Sequence, residues 1–244
     1  MELWGVTDCG RVRKHNQDVF RIQHSDEHDI AILVVCDGMG GTNAGNVASE
    51  LAASSFLDYI KKHIDDLKNL DDYAELISDA SVNANTVVFD RSLYNDEYEG
   101  MGTTLVAAII SEYGVVVSNI GDSRLYSVIE NEIKQVTTDH SVIEEMVERG
   151  EITRAEARIH PSRNLITRAI GASPYEPPDV FVINLNKNDY LVLCSDGLTN
   201  MVLETEILAQ LQSNNTVQES CEILLKMALE RGAPDNVTIV ILRR

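Results

Sequence analysis

The chain has 244 residues, with 39 acidic against 20 basic side chains and a formal net charge of −19. That balance argues against a general nucleic-acid or anionic-membrane binder, because phosphate-rich partners demand clusters of Lys and Arg. A hydrophobic content of 44% with only 14 Gly and 5 Pro argues for a sizeable core rather than disorder.

Taken in chain order, residues 3–7, 19–23 and 30–36 read as strands. A helix follows, with Ala48, Leu51, Ala52, Ser55, Phe56 and Tyr59 at helical spacing. A second over 73–89 places Tyr73, Leu76, Ile77, Ala80, Ala84 and Val87 on one face. Three β-rich stretches come next, 103–110, 114–120 and 124–129, and the turn-like "SEYG" between the first two predicts antiparallel hairpins rather than βαβ units. Residues 141–157 turn helical again, with Ser141-x-x-Glu144 and Thr153-x-x-Glu156 as capping boxes and Gly150 as a stop between them. "DYLVLCSD" predicts a strand, helices follow near 204–212 and 216–231, and "NVTIVILR" closes the chain as a strand. The expectation is one compact α/β domain over 1–244, with mainly antiparallel strands and paired helices.

Cys9, Cys36, Cys194 and Cys221 form no C-x-x-C pair or metal spacing and read as buried thiols in a reducing compartment. The N-terminal residues lack a basic and an apolar region, and the longest apolar run, 30–36, is far below the roughly 18 residues of a membrane span. A cytoplasmic chain away from membranes is the expectation, and no heptad demands an oligomer, so a monomer is expected.

The acidic residues become informative where they fall against pattern. Asp37 in "VVCDGMGG", Asp122 in "VSNIGDSR", Asp196 in "LCSDGL" and Asp235 in "APDNVTIVIL" all sit at strand borders. Singly, each is ordinary turn chemistry. Together at one rim they would repel unless a cation sat among them. Six histidines at 15, 24, 28, 63, 140 and 160 show no zinc spacing, whereas carboxylates, carbonyls and water suit Mg²⁺ or Mn²⁺. Gly38 lets a backbone carbonyl approach closely. "GRVRKHNQD" adds Arg13, Asn16 and Asp18; Arg13 either forms a salt bridge or, with the carboxylates neutralised by metal, grips a phosphate. The glycine-rich "DGMGGTNAGNVAS" lacks the lysine of a nucleotide-binding loop. "MGTT" and Asn236 read as supporting hydrogen-bonding groups.

In order, "TDCGRVRKHNQD", "VVCDGMGG", "MGTTLVAA", "SNIGDSRLY", "QVTTDHS", "LCSDGLT" and "PDNVTIVIL" resemble the motifs of the metal-dependent type-2C Ser/Thr protein phosphatases, in their compact bacterial form. The resemblance runs from residue 4 to the C-terminus. It implies two facing antiparallel sheets flanked by helix pairs, an αββα sandwich with the metals at one rim and a flap at 141–165 that influences substrate choice. It implies that Asp37 bridges two Mn²⁺ or Mg²⁺ ions, with Gly38 offering its carbonyl and Asp196 and Asp235 completing the first ion's ligands. Asp18 lies by the second, directly or through water, and Asp122 matches a third-metal position. Arg13 matches the phosphate clamp. Hydroxide held between the ions would attack in line, without a phosphoenzyme. Met39 stands where many eukaryotic relatives have a His proposed as general acid, and a thioether has no proton to give; the leaving group's proton must then come from metal-bound water or another residue, with His15 and His140 as candidates. Phospho-Ser/Thr proteins, with a cognate Ser/Thr kinase, are the implied partners. A non-catalytic phosphoprotein-binding module or a small-metabolite phosphatase are the alternatives, the former disfavoured because none of Asp37, Asp196 and Asp235 is missing.

Overall fold

The apolar runs become strands that are almost wholly buried. The computed structural model describes residues 1–244 apart from 26–28, 41–43, 66, 95 and 214. His28, the last glycine of "VVCDGMGG" and the two residues after it therefore lie outside the described residues.

One sheet has the order β1 (Glu2–Asp8), β11 (Val237–Arg243), β10 (Tyr190–Cys194), β7 (Arg124–Ile129) and β8 (Glu132–Gln135). The other has β2 (Asp18–Ser25), β3 (Ile30–Met39), β5 (Leu105–Ser111), β6 (Gly114–Ile120) and β9 (Asp179–Ile183), with β4 (Gly102–Thr103) paired to the end of β3. Every ladder between these strands is antiparallel. The inward-facing residues meet in one layer: Leu33, Val35, Val106, Ala108 and Val117 from one sheet, Leu125, Leu191, Leu193, Val240 and Leu242 from the other.

Because alternate strand residues face opposite sides, the outer faces are apolar too and need cover. Helices α1 (Ala44–His63) and α2 (Leu70–Leu93) cover the second sheet, packing Phe56, Ile60, Ile77 and Ala84 onto Ile32, Val34 and Ile109. The first sheet is covered by α5 (Asp196–Thr199), α6 (Glu204–Leu211) and α7 (Val217–Glu230), through Leu198, Ile207, Cys221 and Leu224. The result is the expected αββα sandwich.

Between the sheets' strands lies a small excursion with α3 (Val142–Glu148) and α4 (Arg154–Ala157), closed at its base by a bridge between Ser141 and Ile166. Its two capping boxes differ. Thr153 and Glu156 cap each other reciprocally, as do Thr216 and Glu219 at α7. Ser141 accepts from the Glu144 N–H at 3.1 Å, but the Glu144 carboxylate is taken by Arg154 at 2.6 Å and does not close the second half. The strand expected over 103–110 is interrupted at Thr104, whose N–H turns to the Asp37 carbonyl at 2.9 Å. Among the cysteines, Cys9 is half-buried rather than buried, and all four are free thiols.

Candidate active site

Strand register brings the aspartates together. In the first sheet Asp8 pairs with Val237, and Cys194 with both Ile239 and Arg124, so the chain entering β11 and leaving β10 emerges at one rim. In the second, Asp18 pairs with Asp37 and Leu105 with Ile120, which puts the start of β2, the end of β3 and the turn after β6 at a rim of their own. The two rims are joined by hydrogen bonds: Ser195 and Thr238 of the first sheet each donate a hydroxyl to Asp18 Oδ2 of the second at 2.7 Å.

The carboxylates sense one another. Burial raises the Asp37 pKa well above its ordinary value, and the charges of Asp18, Asp196, Asp122 and Asp235 add to the rise. Asp18 is pushed up to about 7 by burial, against the opposing hydrogen bonds from Thr238 and Ser195. Asp122 is pushed up to about 8 by burial and Asp196, and Asp196 to about 6 by burial and Asp235. Acids that resist ionisation in this way are short of positive charge. The Arg13 guanidinium donates to Asp235 Oδ2 at 2.8 Å, and that hydrogen bond and charge raise its own pKa.

Three buried side-chain oxygens or nitrogens among the described residues have no hydrogen-bond partner, and two are Asp18 Oδ1 and Asp196 Oδ1. An unpaired carboxylate oxygen excluded from water is costly, so this donor set fits hard divalent cations. Among the described residues no three His, Cys, Asp or Glu side chains close on one point as a ready cation cage. Ions here would therefore rely on backbone carbonyl and water as well as carboxylate. Gly38 has no room for a side chain: a Cβ on it would lie 2.2 Å from the Gly45 carbonyl oxygen and 2.6 Å from that of Gln17.

Supporting hydrogen bonds hold each acid. Asp18 Oδ2 ends a chain running from Asn16 Nδ2 to Thr7 Oγ1 (2.8 Å), on to Thr238 Oγ1 (2.7 Å), and then to the carboxylate. The Asp37 backbone carbonyl accepts from Thr103 Oγ1, and its N–H donates to Thr104 Oγ1, both at 2.9 Å; Thr104 is tied in turn to Ser123, the neighbour of Asp122. "MGTT" thus plays the supporting role its sequence indicated. Asn200 Nδ2 donates to Asp196 Oδ2 at 3.0 Å and lines a cleft of about 620 Å³ that runs between α6 and the 141–165 flap, past Arg154, Arg158 and Arg163.

Sequence reasoning did not single out Ser195, Thr238 or Asn200, which look like ordinary polar residues near a motif. His140, a candidate acid, is buried: its Nδ1 accepts from the Gly121 N–H at 3.0 Å and its Nε2 faces Arg168 at 2.8 Å and Asp179 at 3.2 Å. It is a structural bracket on the Gly121–Asp122 turn. Burial raises the Cys194 thiol to about 12 and the Cys36 thiol still higher, so neither supplies a thiolate nucleophile.

The sequence matches the protein phosphatase 2C family over residues 5–237. The chain belongs to that family. This phosphatase 2C is 38% identical over 240 residues to the serine/threonine phosphatase stp of Listeria monocytogenes serotype 4b, covering 98% of this chain and 94% of the relative. Its fold matches that of the serine/threonine phosphatase Stp1 from Staphylococcus aureus with a TM-score of 0.92, at 36% identity, over 100% of this chain and 94% of the other. It also matches the catalytic domain of the serine threonine protein phosphatase PstP, solved in complex with two manganese ions, with a TM-score of 0.84 at 32% identity, over 98% and 96% of the two chains. As a protein phosphatase this phosphatase 2C acts on phosphoproteins, and metal-dependent dephosphorylation is general for the family. No helix among the described residues is long and apolar enough to cross a membrane.

Proposed function

We propose that this phosphatase 2C hydrolyses phosphoserine and phosphothreonine in proteins, opposing a cognate Ser/Thr kinase, as one catalytic domain over 1–244 that works as a monomer in the cytoplasm. Asp37, Asp196 and Asp235 would hold a first Mn²⁺ or Mg²⁺ ion. Asp37, the Gly38 carbonyl and Asp18, directly or through water, would hold a second, and Asp122 a third. When bound, such ions acidify water and offset the charge of a phosphate ester. The observation that carries the reading is the pair of buried, unpartnered oxygens on Asp18, at the start of β2, and Asp196, at the start of α5 after β10, within a cluster of raised-pKa carboxylates.

The chain's own residues then have distinct tasks. Arg13 fixes the phosphate with its planar fork, leaving Asp235 to the metal. Ser195 and Thr238 hold one oxygen of Asp18 so that the other faces the cluster. Asn200 does the same for Asp196. The cleft beside Asn200, edged by Arg158 and Arg163, would receive the polypeptide around the phosphorylated residue. Met39 offers no proton, and His140 is engaged elsewhere, so the leaving alkoxide would take its proton from water or from the exposed His15.

The test is hydrolysis of p-nitrophenyl phosphate and of phosphoserine and phosphothreonine peptides with Mn²⁺ and with excess EDTA. Turnover of both substrate kinds only with metal supports the reading, and a rate unchanged by EDTA defeats it. A rate on sugar phosphates above that on phosphopeptides would instead favour a metabolite phosphatase.

A further inference from the structure

The segment from residue 9 to residue 17, which carries Arg13, has no helix or strand of its own. Its polar backbone groups must therefore find partners elsewhere. Three of them find one side chain. Asn236 donates from Nδ2 to the carbonyls of Cys9 at 3.0 Å and His15 at 3.1 Å, and accepts at Oδ1 from the Gln17 N–H at 2.8 Å. Asn236 is buried at the mouth of β11, a strand flanked on both sides, so it is a fixed post. Two further contacts seat the segment on the same stretch of chain. The Arg11 N–H donates to the Ala233 carbonyl at 2.9 Å. Gly10, at φ +76°, lies so close that a Cβ on it would stand 2.1 Å from the Asp235 carbonyl oxygen.

We infer that Asn236 is the positioning residue that sets Arg13 over the carboxylate rim, and that it acts on the phosphate only through that arginine. This rests on the reading of Arg13 as the phosphate-holding group. The chemistry selects Asn: two N–H donors and one carbonyl acceptor match two carbonyls and one N–H. Asp supplies acceptors only, and Ala supplies neither. The pinned groups lie four residues before Arg13 and two and four after it, so the arginine cannot drift while they hold. Once released, Cys9 O, His15 O and Gln17 N sit near the surface and can turn to water, which leaves the fold standing and the loop loose.

The experiment is a double-mutant cycle at saturating Mn²⁺ with p-nitrophenyl phosphate, using Asn236→Ala, Arg13→Ala and both together. Asn236→Ala is expected to lower kcat/KM about tenfold, carried mainly by KM, in line with the cost of small misplacements of binding groups. Inhibition by inorganic phosphate should weaken in parallel. In the Arg13→Ala background the same substitution should change kcat/KM and phosphate inhibition less than twofold, because interacting residues are not additive. Limited trypsin digestion should cut faster after Arg11, Arg13 or Lys14 in Asn236→Ala than in the wild type. Multiplicative effects of the two substitutions, or unchanged cutting, would overturn the inference while leaving Arg13's role intact. Wild-type kcat/KM in Arg13→Ala would instead remove the reading on which it rests. Should Asn236→Ala not fold, Asn236→Ser is put through the same cycle and digestion, with the same outcomes deciding.

Discussion

Arg13 donates from its guanidinium to Oδ2 of Asp235 at 2.8 Å, although 222 positions of chain separate the two residues. The pair is half-open to solvent. An exposed ion pair of this kind adds little to stability, so the arginine's value lies in what it can hold once Asp235 is engaged by a cation. Replacing Arg13 by Ala should therefore leave the melting temperature almost unchanged and lower kcat/KM on a phosphopeptide about 100-fold, the scale of losing a charge-stabilising donor. Arg13→Lys should recover only part of the loss, since an ammonium lacks the two-pronged fork. Steady-state kinetics with a melting curve check both.

Burial and the charges of Asp18, Asp196, Asp122 and Asp235 all raise the Asp37 pKa. Asp37→Asn and Asp235→Asn should each remove most phosphatase activity while relieving repulsion in the metal-free protein. In EDTA, the Asp37→Asn variant should melt no lower than the wild type; with Mn²⁺ added, the wild type alone should gain stability, as a ligand that binds only the folded state requires. Differential scanning calorimetry with and without Mn²⁺ measures this.

Ser195 and Thr238 deserve equal weight because both spend their hydroxyls on Asp18 Oδ2. Ser195→Ala should weaken Mn²⁺ binding about 10–100-fold, the usual cost of removing a partner that orients a metal ligand. Thr238→Val should do the same, and the two together should fall short of the product of the singles, since losing either hydroxyl already frees the carboxylate that the two hold jointly. Isothermal titration with Mn²⁺ provides the numbers.

His140 governs a pH effect on stability. Burial lowers its pKa below the ordinary 6.5, with Arg168 pulling the same way and Asp179 and Glu176 opposing. Its Nδ1 accepts the Gly121 N–H, so the proton has no free place on that nitrogen. A folded pKa below the unfolded value means that stability is present above pH 6.5 and is lost as pH falls through the folded value. The carboxylate rim has raised pKa values and trends the other way, so the comparison must be a difference. The gap in melting temperature between wild type and His140→Gln should be widest above pH 7 and should narrow as pH drops toward 5, at one fixed metal concentration.

Much of this was legible in the sequence, for physical reasons. Long apolar runs such as Ile30–Cys36 and Ile239–Leu242 leave little choice but a buried strand, and the Asp at their borders, Asp37 beside Gly38 and Asp235 beside Asn236, falls at the sheet's rim. The paired helices announced themselves by spacing, though α1 and α2 run several residues beyond the periodic stretches at each end. What stayed hidden was short or at an edge. Strand β8 is a four-residue edge with one apolar residue, and β9, although Val180, Phe181, Val182 and Ile183 are consecutive apolar residues, is a short border strand that alternates half-buried and exposed positions. The single turn α5 begins at Asp196 itself. Ser195 and Thr238 could not be paired with Asp18 from sequence, since that meeting depends on how two sheets are stacked. Likewise the half-used capping box at Ser141 depends on Arg154 arriving from ten residues away.

The most direct test of the acidic rim as a divalent-metal centre is anomalous diffraction, at the manganese absorption edge, from crystals of the wild-type protein grown with Mn²⁺. The result expected is two strong peaks bordered by Asp37, with Asp196 and Asp235 on one side and Asp18 on the other. Manganese bound only elsewhere on this acidic surface, with the rim empty and Arg13 still paired to Asp235, would contradict it.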